Sequence, residues 1–401
     1  MMQAYGHSER IFDIAFNPQD SNYLASASED TTVRIWKRNE DLNRYQQVKC
    51  FSGHSAEALR IHWSRTGRFL ASGSNDNTIR LWDTSNLGDS DPGSAYSTEP
   101  LSVLSGHPEE IYHVELLNPG VAPDDYDSPL STSVSSSCSN APSSSNGPSL
   151  AAPPSALFET HLLAASSESL LLWDVSQGRI VTHALAPGTA SHILAAFNGS
   201  GALQSPSVVE GVKEALKELP PAFIFGVDRQ RDGESGSGLM ASACSDGRVR
   251  LWSLRSSCQI QHVDTLPLCT DSMAVACTFG GRSNVHQLAT ASRHGEIIFV
   301  DTRMSQRVLN RIQTPGMPLW ISRARLAGED WILTTCKETG ARLFGYRWAT
   351  GTDPEGSALS WLTRRKTRDA RELEEMAERG DFPGSFLGPG VFQRLCHGGE
   401  E

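Results

Sequence analysis

One phrase recurs along this chain and limits what it can fold into. Residues 24–36 read LASASEDTTVRIW, and residues 70–82 read LASGSNDNTIRLW with Asp83 next. Looser copies stand at 162–174 (LLAASSESLLLWD), 239–252 (LMASACSDGRVRLW), 288–301 (LATASRHGEIIFVD) and 333–344 (LTTCKETGARLF). The copies return roughly every 45 residues, or later where an insertion intervenes, the period of an architecture in which each copy is one supersecondary unit.

Each copy reads as two strands around a tight turn. Residues 24–28 are small and apolar, suited to a closely packed strand. Residues 29–32 form the turn, where Asp30 can bond its own backbone. Residues 33–36 are β-branched and aromatic. The two-residue period puts Arg34 and Trp36 on one face, Val33 and Ile35 on the other. The turn Asp precedes the Trp at one fixed spacing in three copies: Asp30/Trp36, Asp76/Trp82 and Asp246/Trp252. A Gly-His pair precedes the first three copies, at Gly6-His7, Gly53-His54 and Gly106-His107.

Gly-His, a strand bearing Ser, a turn Asp and a Trp, in that order, resemble the WD40 repeat. The resemblance covers most of the chain and leaves out two insertions and the C-terminal tail. It implies an all-β WD40 β-propeller with six recognisable repeats and six or seven blades. A seventh blade fits 179–206, where 179–185 and 192–197 both look like strands and 223–227 would open the next blade; this favours seven. The resemblance also implies a buried hydrogen-bonded tetrad of His7, Ser26 or Ser28, Asp30 and Trp36. In the second copy the tetrad is His54, Ser72 or Ser74, Asp76 and Trp82; in the fourth copy Asp246 and Trp252 take part. Such a network stabilises only when every member is satisfied. The third copy has Ser167 for the Asp. The fifth has His294 for Asp and Val300 for Trp, and the sixth Glu338 and Phe344. Those blades are expected to lack the full tetrad and to be held by packing.

With 38% hydrophobic residues in 401, the chain can bury one large all-β domain. A net charge of −11 argues against direct nucleic-acid binding. None of the eight Cys falls in a CxxC or zinc-finger spacing, and Cys244, Cys277 and Cys336 read as small buried residues of a reducing compartment. No run is apolar enough to span a bilayer or serve as a signal peptide. The expected location is cytoplasmic and/or nuclear.

Residues 1–346 read as the propeller. The insertion at about 119–156 is rich in Ser and Pro, and its composition predicts disorder. The insertion at about 199–238 contains the capping box of Ser207 and Glu210. Val208, Val212, Leu216 and Leu219 follow at helical spacing, predicting a short helix packed on the propeller or docking a partner. Residues 2–5 are expected as the outer strand of the last blade, closing the ring. Residues 347–401 form an extension, partly helical over 357–380. There Arg364, Arg365, Lys366, Arg368 and Arg371 precede Glu372, Glu374, Glu375 and Glu378.

No nucleophile, phosphate or metal motif stands out, and no catalytic residue, metal or cofactor is expected. Function then lies on surfaces, where loops gather on the propeller faces. By the resemblance, Glu9, Glu57, Glu109 and Glu110 share one face with Glu29 and Asp30, an acidic arc suited to a basic peptide segment. Arg34, Arg80, Arg250 and Arg342 sit two before the Trp or its replacement and read as structural, paired between blades. Asp301 and Arg303 end a repeat as Asp-x-Arg, a partial likeness to the Trp-Asp-x-Arg of cullin-4 ubiquitin-ligase receptors. The resemblance therefore implies a monomeric, non-enzymatic interaction scaffold or adaptor in a complex with other proteins. The alternative is a ligase substrate receptor.

Overall fold

The computed structural model describes residues 3–348 apart from 5, 40–43, 88–95, 98, 118–159, 200–215, 217–218, 220–221, 231–237, 256, 270, 282–283, 305–307, 327–328 and 338–342. The Ser/Pro-rich insertion, the predicted helix at 207–219 (save Leu216 and Leu219) and the extension beyond Trp348 lie outside the described residues.

Six sheets follow one another along the chain. The first contains β1 (Gln3–Ala4), β2 (Ile11–Phe16), β3 (Tyr23–Ser28), β4 (Val33–Asn39) and β5 (Arg44–Phe51). The second contains β6 (Ala58–Trp63), β7 (Phe69–Ser74), β8 (Thr78–Asp83) and β10 (Ser102–Ser105), while β9 (Tyr96–Ser97) pairs back onto β5. The third is β11 (Ile111–Leu117), β12 (His161–Ser166), β13 (Ser169–Asp174) and β14 (Arg179–Leu185). The fourth is β15 (Ile224–Arg229), β16 (Gly238–Cys244), β17 (Arg248–Leu254) and β18 (Ile260–Pro267). The fifth is β19 (Ala274–Phe279), β20 (Gln287–Ser292), β21 (Glu296–Asp301) and β22 (Val308–Gln313). The sixth is β23 (Pro318–Leu326), β24 (Glu329–Cys336) and β25 (Leu343–Arg347).

Each sheet is a blade running from its inner strand outward, and the inner strands β2, β6, β11, β15, β19 and β23 lie beside one another in series. Every inner strand shifts register once near its start, at Ile11/Asp13, Ala58/Arg60, Ile111/His113, Ile224/Gly226, Ala274/Ala276 and Pro318/Trp320. This shared bulge aligns the six blades residue by residue. The second strands are buried on both faces, which is why they read as unbroken small and apolar runs rather than alternating ones. Apolar clusters join neighbouring blades. Val33 and Ile35 pack with Trp63, Leu70 and Trp82, and Ile79 and Leu81 with Val114, Leu162 and Trp173.

The ring has six blades, not seven. The stretch 192–197 lies in a helix, α1 (Ala190–Gly199), and β14 is the outer strand of the third blade. Thr189 caps this helix, its hydroxyl accepting the His192 amide and donating to the Ala186 carbonyl. The run ILAAF carries Ala and Leu with no alternation, so helix propensity wins where apolarity alone is ambiguous. The N-terminal strand also differs from expectation. β1 runs parallel to β5, Gln3 opposite Arg44 and Ala4 opposite Tyr45, on the first blade rather than the last. Among the described residues no helix is long and apolar enough to cross a membrane.

Candidate binding rim and the tetrads beneath it

The first two blades each bring four side chains together. In the first, the Trp36 indole donates to Ser26 Oγ at 2.8 Å, Ser26 Oγ lies 2.7 Å from His7 Nε2, and His7 Nδ1 lies 2.8 Å from Asp30 Oδ2. Ser26 has one proton, and because it accepts from Trp36 it gives that proton to His7 Nε2. His7 must then carry its own proton on Nδ1 and donate it to Asp30. Asp30 also accepts the Thr32 amide and hydroxyl. The second blade repeats this with Trp82, Ser72, His54 and Asp76 at 2.8, 2.8 and 2.9 Å. Ser28 and Ser74, the other candidates, bond backbone carbonyls of the preceding loop instead.

Electrostatics agree with this proton placement. Burial lowers the pKa of His7 against the pull of Asp30, so the imidazole is neutral. Burial alone raises the Asp30 carboxyl, but hydrogen bonds from His7 and Thr32 outweigh it and hold the group well below the usual carboxylate range. Asp76 is held down in the same way.

The other blades lose the network by steps. In the third, Ala164 takes the serine position, and the Trp173 indole donates directly to His107 Nε2 at 3.0 Å. Burial pushes His107 down to about 4. In the fourth no Gly-His precedes the strand, and Arg250 replaces the histidine. Its side chain is 0% exposed; it donates to Asp246 at 2.7 and 3.1 Å and to the Pro187 carbonyl. The Trp252 indole still donates to Ser242. In the fifth, Val300 offers no N–H, and the hydroxyl of Thr290 in the serine position is buried without a partner. In the sixth the register corrects the sequence reading. Tyr346, not Phe344, pairs with Ile332 as Trp36 pairs with Leu24. The phrase LTTCKETGARLF is two residues out of step because the turn between β24 and β25 is longer. The Tyr346 hydroxyl is buried and unpartnered. Glu338 and Arg342 lie outside the described residues. Arg34 binds Thr32, Gln47 and Asp30 within its own blade.

The acidic residues lie beside the inner strands of the first three blades. Arg10 pairs with Glu29 at 2.7 Å, and both Glu9 and Glu57 act on its charge. Glu57 accepts from Asn75. Glu109 and Glu110 together raise the Tyr112 phenol beyond what burial does. Glu9 is exposed, while Glu57, Glu109 and Glu110 are half-buried. On the fifth blade the turn carrying His294 borders a cavity of about 340 Å³ lined also by Cys269, Asp271, Glu296 and Arg311. Sequence reading did not anticipate it. Asp301 and Arg303 bind each other, with Arg303 donating through Nε and Nη2 at 3.1 and 2.8 Å. Cys244, Cys277 and Cys336 are buried. Among the described residues no three His, Cys, Asp or Glu side chains gather as a metal ion requires.

The family match falls on the complete blades. Residues 2–37 and 45–83 match the family described as WD domain, G-beta repeat. Protein transport protein SEC13 of Chaetomium globosum is 42% identical over 65 residues, 16% of this chain and 22% of its own length. Human coronin-7 is 36% identical over 63 residues, 16% of this chain and 6% of its own. Protein HIR1 of Mycosarcoma maydis is 33% identical over 120 residues, 26% of this chain and 12% of its own. The matched region thus spans under a quarter of each relative.

Proposed function

The chain belongs to the WD40-repeat family, whose propellers generally mediate contacts between proteins, and from that premise we propose that it is a non-enzymatic scaffold or adaptor binding a basic segment of a partner across the rim of its first three blades. The observation that carries this reading is the grouping of Glu9, Glu29 and Glu57 around a single Arg10, with Glu109 and Glu110 on the next blade. A row of five acids that outnumbers Arg10 and Arg60 beside it holds a field that draws in a positive segment, each exposed pair contributing modestly. The role is placed in the cytoplasm or nucleus. The ligase-receptor alternative has less support, since its motif is only partial, with Val300 in place of the Trp.

Immobilised full-length chain, probed with Lys/Arg-rich peptides and matched Asp/Glu-rich ones, tests the reading. The basic set should bind and should weaken as salt shortens the Debye length to about 3 Å at 1 M. Glu57→Lys with Glu109→Lys should slow association more than it speeds dissociation. Equal binding of the two peptide sets, or unchanged rates in the double variant, sinks it.

A further inference from the structure

The fifth blade has a cavity lined by the same loop and turn that the tetrad ties together in the first two blades. In those two, the amide after the second strand bonds the carbonyl just before the inner strand, Glu29 to Arg10 and Asn75 to Glu57. Arg293 bonds Met273 in the same way, so His294 stands where Asp30 and Asp76 do, and Asp271 where Ser8 and Ser55 do. Asp30 and Asp76 draw the loop in by accepting the Ser8 and Ser55 amides and holding the histidine. In the fifth blade the acid is on the loop and the imidazole on the turn, both exposed. The cavity there is about 340 Å³, within the range of roughly 300–1,000 Å³ of ligand pockets. Its lining keeps polar capacity in reserve. Asp271 has no hydrogen bond or ion pair among the described residues, and the Ser272 hydroxyl is buried and unpartnered. Glu296 meets Arg311 through Oε2 at 3.0 Å, leaving Oε1 open. Burial and then Glu296 push the Cys269 thiol up to about 11, while Arg311 pulls it back by less, so the acid dominates the field at that wall.

We propose that this cavity takes the ammonium group of a lysine side chain on the partner's segment. This rests on the reading that the chain binds a basic segment, but not on the rim of the first three blades doing so. An ammonium has three donors and no acceptor. Asp271, Ser272 Oγ and Glu296 Oε1 are three acceptors in want of a donor. A guanidinium fork suits the two oxygens of one carboxylate better than three separate groups. A phosphate or carboxylate would meet Asp271 and Glu296 as like charges, and Arg311, the cation of the lining, is already paired. Arg293 is turned elsewhere, to Met273 Sδ. Leu268 and Cys269 are buried and apolar, a wall for the four-carbon stem of a lysine whose head stays among polar groups. The loop and turn of the cavity correspond to those bearing Glu9 and Glu29, so both sites open on one face and a single segment crossing it can reach both.

Calorimetric titration of the full chain with an otherwise neutral peptide carrying one lysine, and with the same peptide acetylated at that lysine, tests the proposal. The lysine peptide should bind about fivefold more tightly, the scale of one partly exposed ion pair. Asp271→Asn should erase that preference and leave the thermal midpoint unchanged, because Asp271 is exposed and supports no other group among the described residues. Equal binding of the two peptides, or a preference that survives Asp271→Asn, overturns the proposal. So does a phosphoserine peptide that binds more tightly than the lysine one, which would make the cavity an anion site. Butylamine competing as well as the peptide would make the ligand a free amine, and overturns it too. In Glu57→Lys with Glu109→Lys the preference should persist; its loss there would move the lysine to the rim. If the preference holds while Lys/Arg-rich peptides ignore the rim acids, the cavity stands and only the rim reading fails.

Discussion

The first two blades and the last two share the same bulged inner strand, but differ in how they treat the polar atoms at the tetrad positions. In the first two, every heteroatom from indole to carboxylate has a partner. In the last two, Thr290 and Tyr346 keep hydroxyls at the same positions with no one to bond. The bulged pairing of inner and second strands therefore does not need the tetrad. What the later blades retain is packing: Phe299, Ile332, Tyr346 and Trp348 share one cluster. The tetrad fixes the turn and the rim loop to the strand beneath, since Asp30 holds both the Ser8 amide and the Thr32 amide. The rim acids of the first two blades stand on that anchored loop, and a prepared binding surface needs such fixing more than a packed wall does.

The fourth blade, between these extremes, gives the largest effect. The Arg250 side chain is fully buried, and among the described residues Asp246 is its ion-pair partner. Asp246→Ala leaves a buried guanidinium without a counter-charge, so urea unfolding should show a loss of about 3–5 kcal/mol. Replacing both, Arg250→Met with Asp246→Ala, should recover much of it. A mild single-variant effect would mean that Pro187 and solvent satisfy Arg250, and that the fourth blade belongs with the last two.

Acid should separate the two regions next. His107 titrates at about 4 when folded and near 6.5 when unfolded. Between those values the unfolded chain holds the extra proton, so stability is complete above 6.5 and falls as pH drops toward 4. At 1.36 kcal/mol per unit this amounts to about 3 kcal/mol by pH 4. His7 adds in the same direction. Asp30 and Asp76, held below their unfolded value, contribute stability that is present above the carboxylate range and lost as pH falls through and below it. Hydrogen exchange at pH 5 against pH 7 should show the first three blades losing protection before the fifth and sixth. Uniform loss around the ring would count against the histidine assignments.

Much of this was legible in the sequence because tetrad chemistry uses rare residues at fixed spacing. His7, Ser26, Asp30 and Trp36 could be aligned with His54, Ser72, Asp76 and Trp82 by inspection. What was not legible followed from lost anchors. Without a Trp, the sixth copy was set two residues out of register, at Phe344 instead of Tyr346. Arg250 was legible as structural, but its burial in the histidine's place was not, because a buried Arg and an exposed one look alike in sequence. The run at 192–197 had apolarity without a period, and a helix cap at Thr189 decided it. The acids of the rim could be counted, but their grouping around Arg10 required the loops in place.

The smallest effect is the sharpest comparison, since one chemical edit should have opposite outcomes in the two regions. Ser72→Ala removes the hydroxyl that accepts from Trp82 and donates to His54, leaving both unpaired inside the blade. That should cost on the order of 1–3 kcal/mol. Thr290→Val removes a hydroxyl from the corresponding position of the fifth blade while preserving the shape of the side chain. Thr290 is 0% exposed and its hydroxyl bonds nothing, so desolvation of that hydroxyl is a cost without return. The variant should be neutral or up to about 1 kcal/mol more stable by thermal unfolding, and Tyr346→Phe should behave alike. Were Thr290→Val to destabilise as much as Ser72→Ala, a partner for that hydroxyl would exist in solution, and the fifth blade would have a polar network of its own.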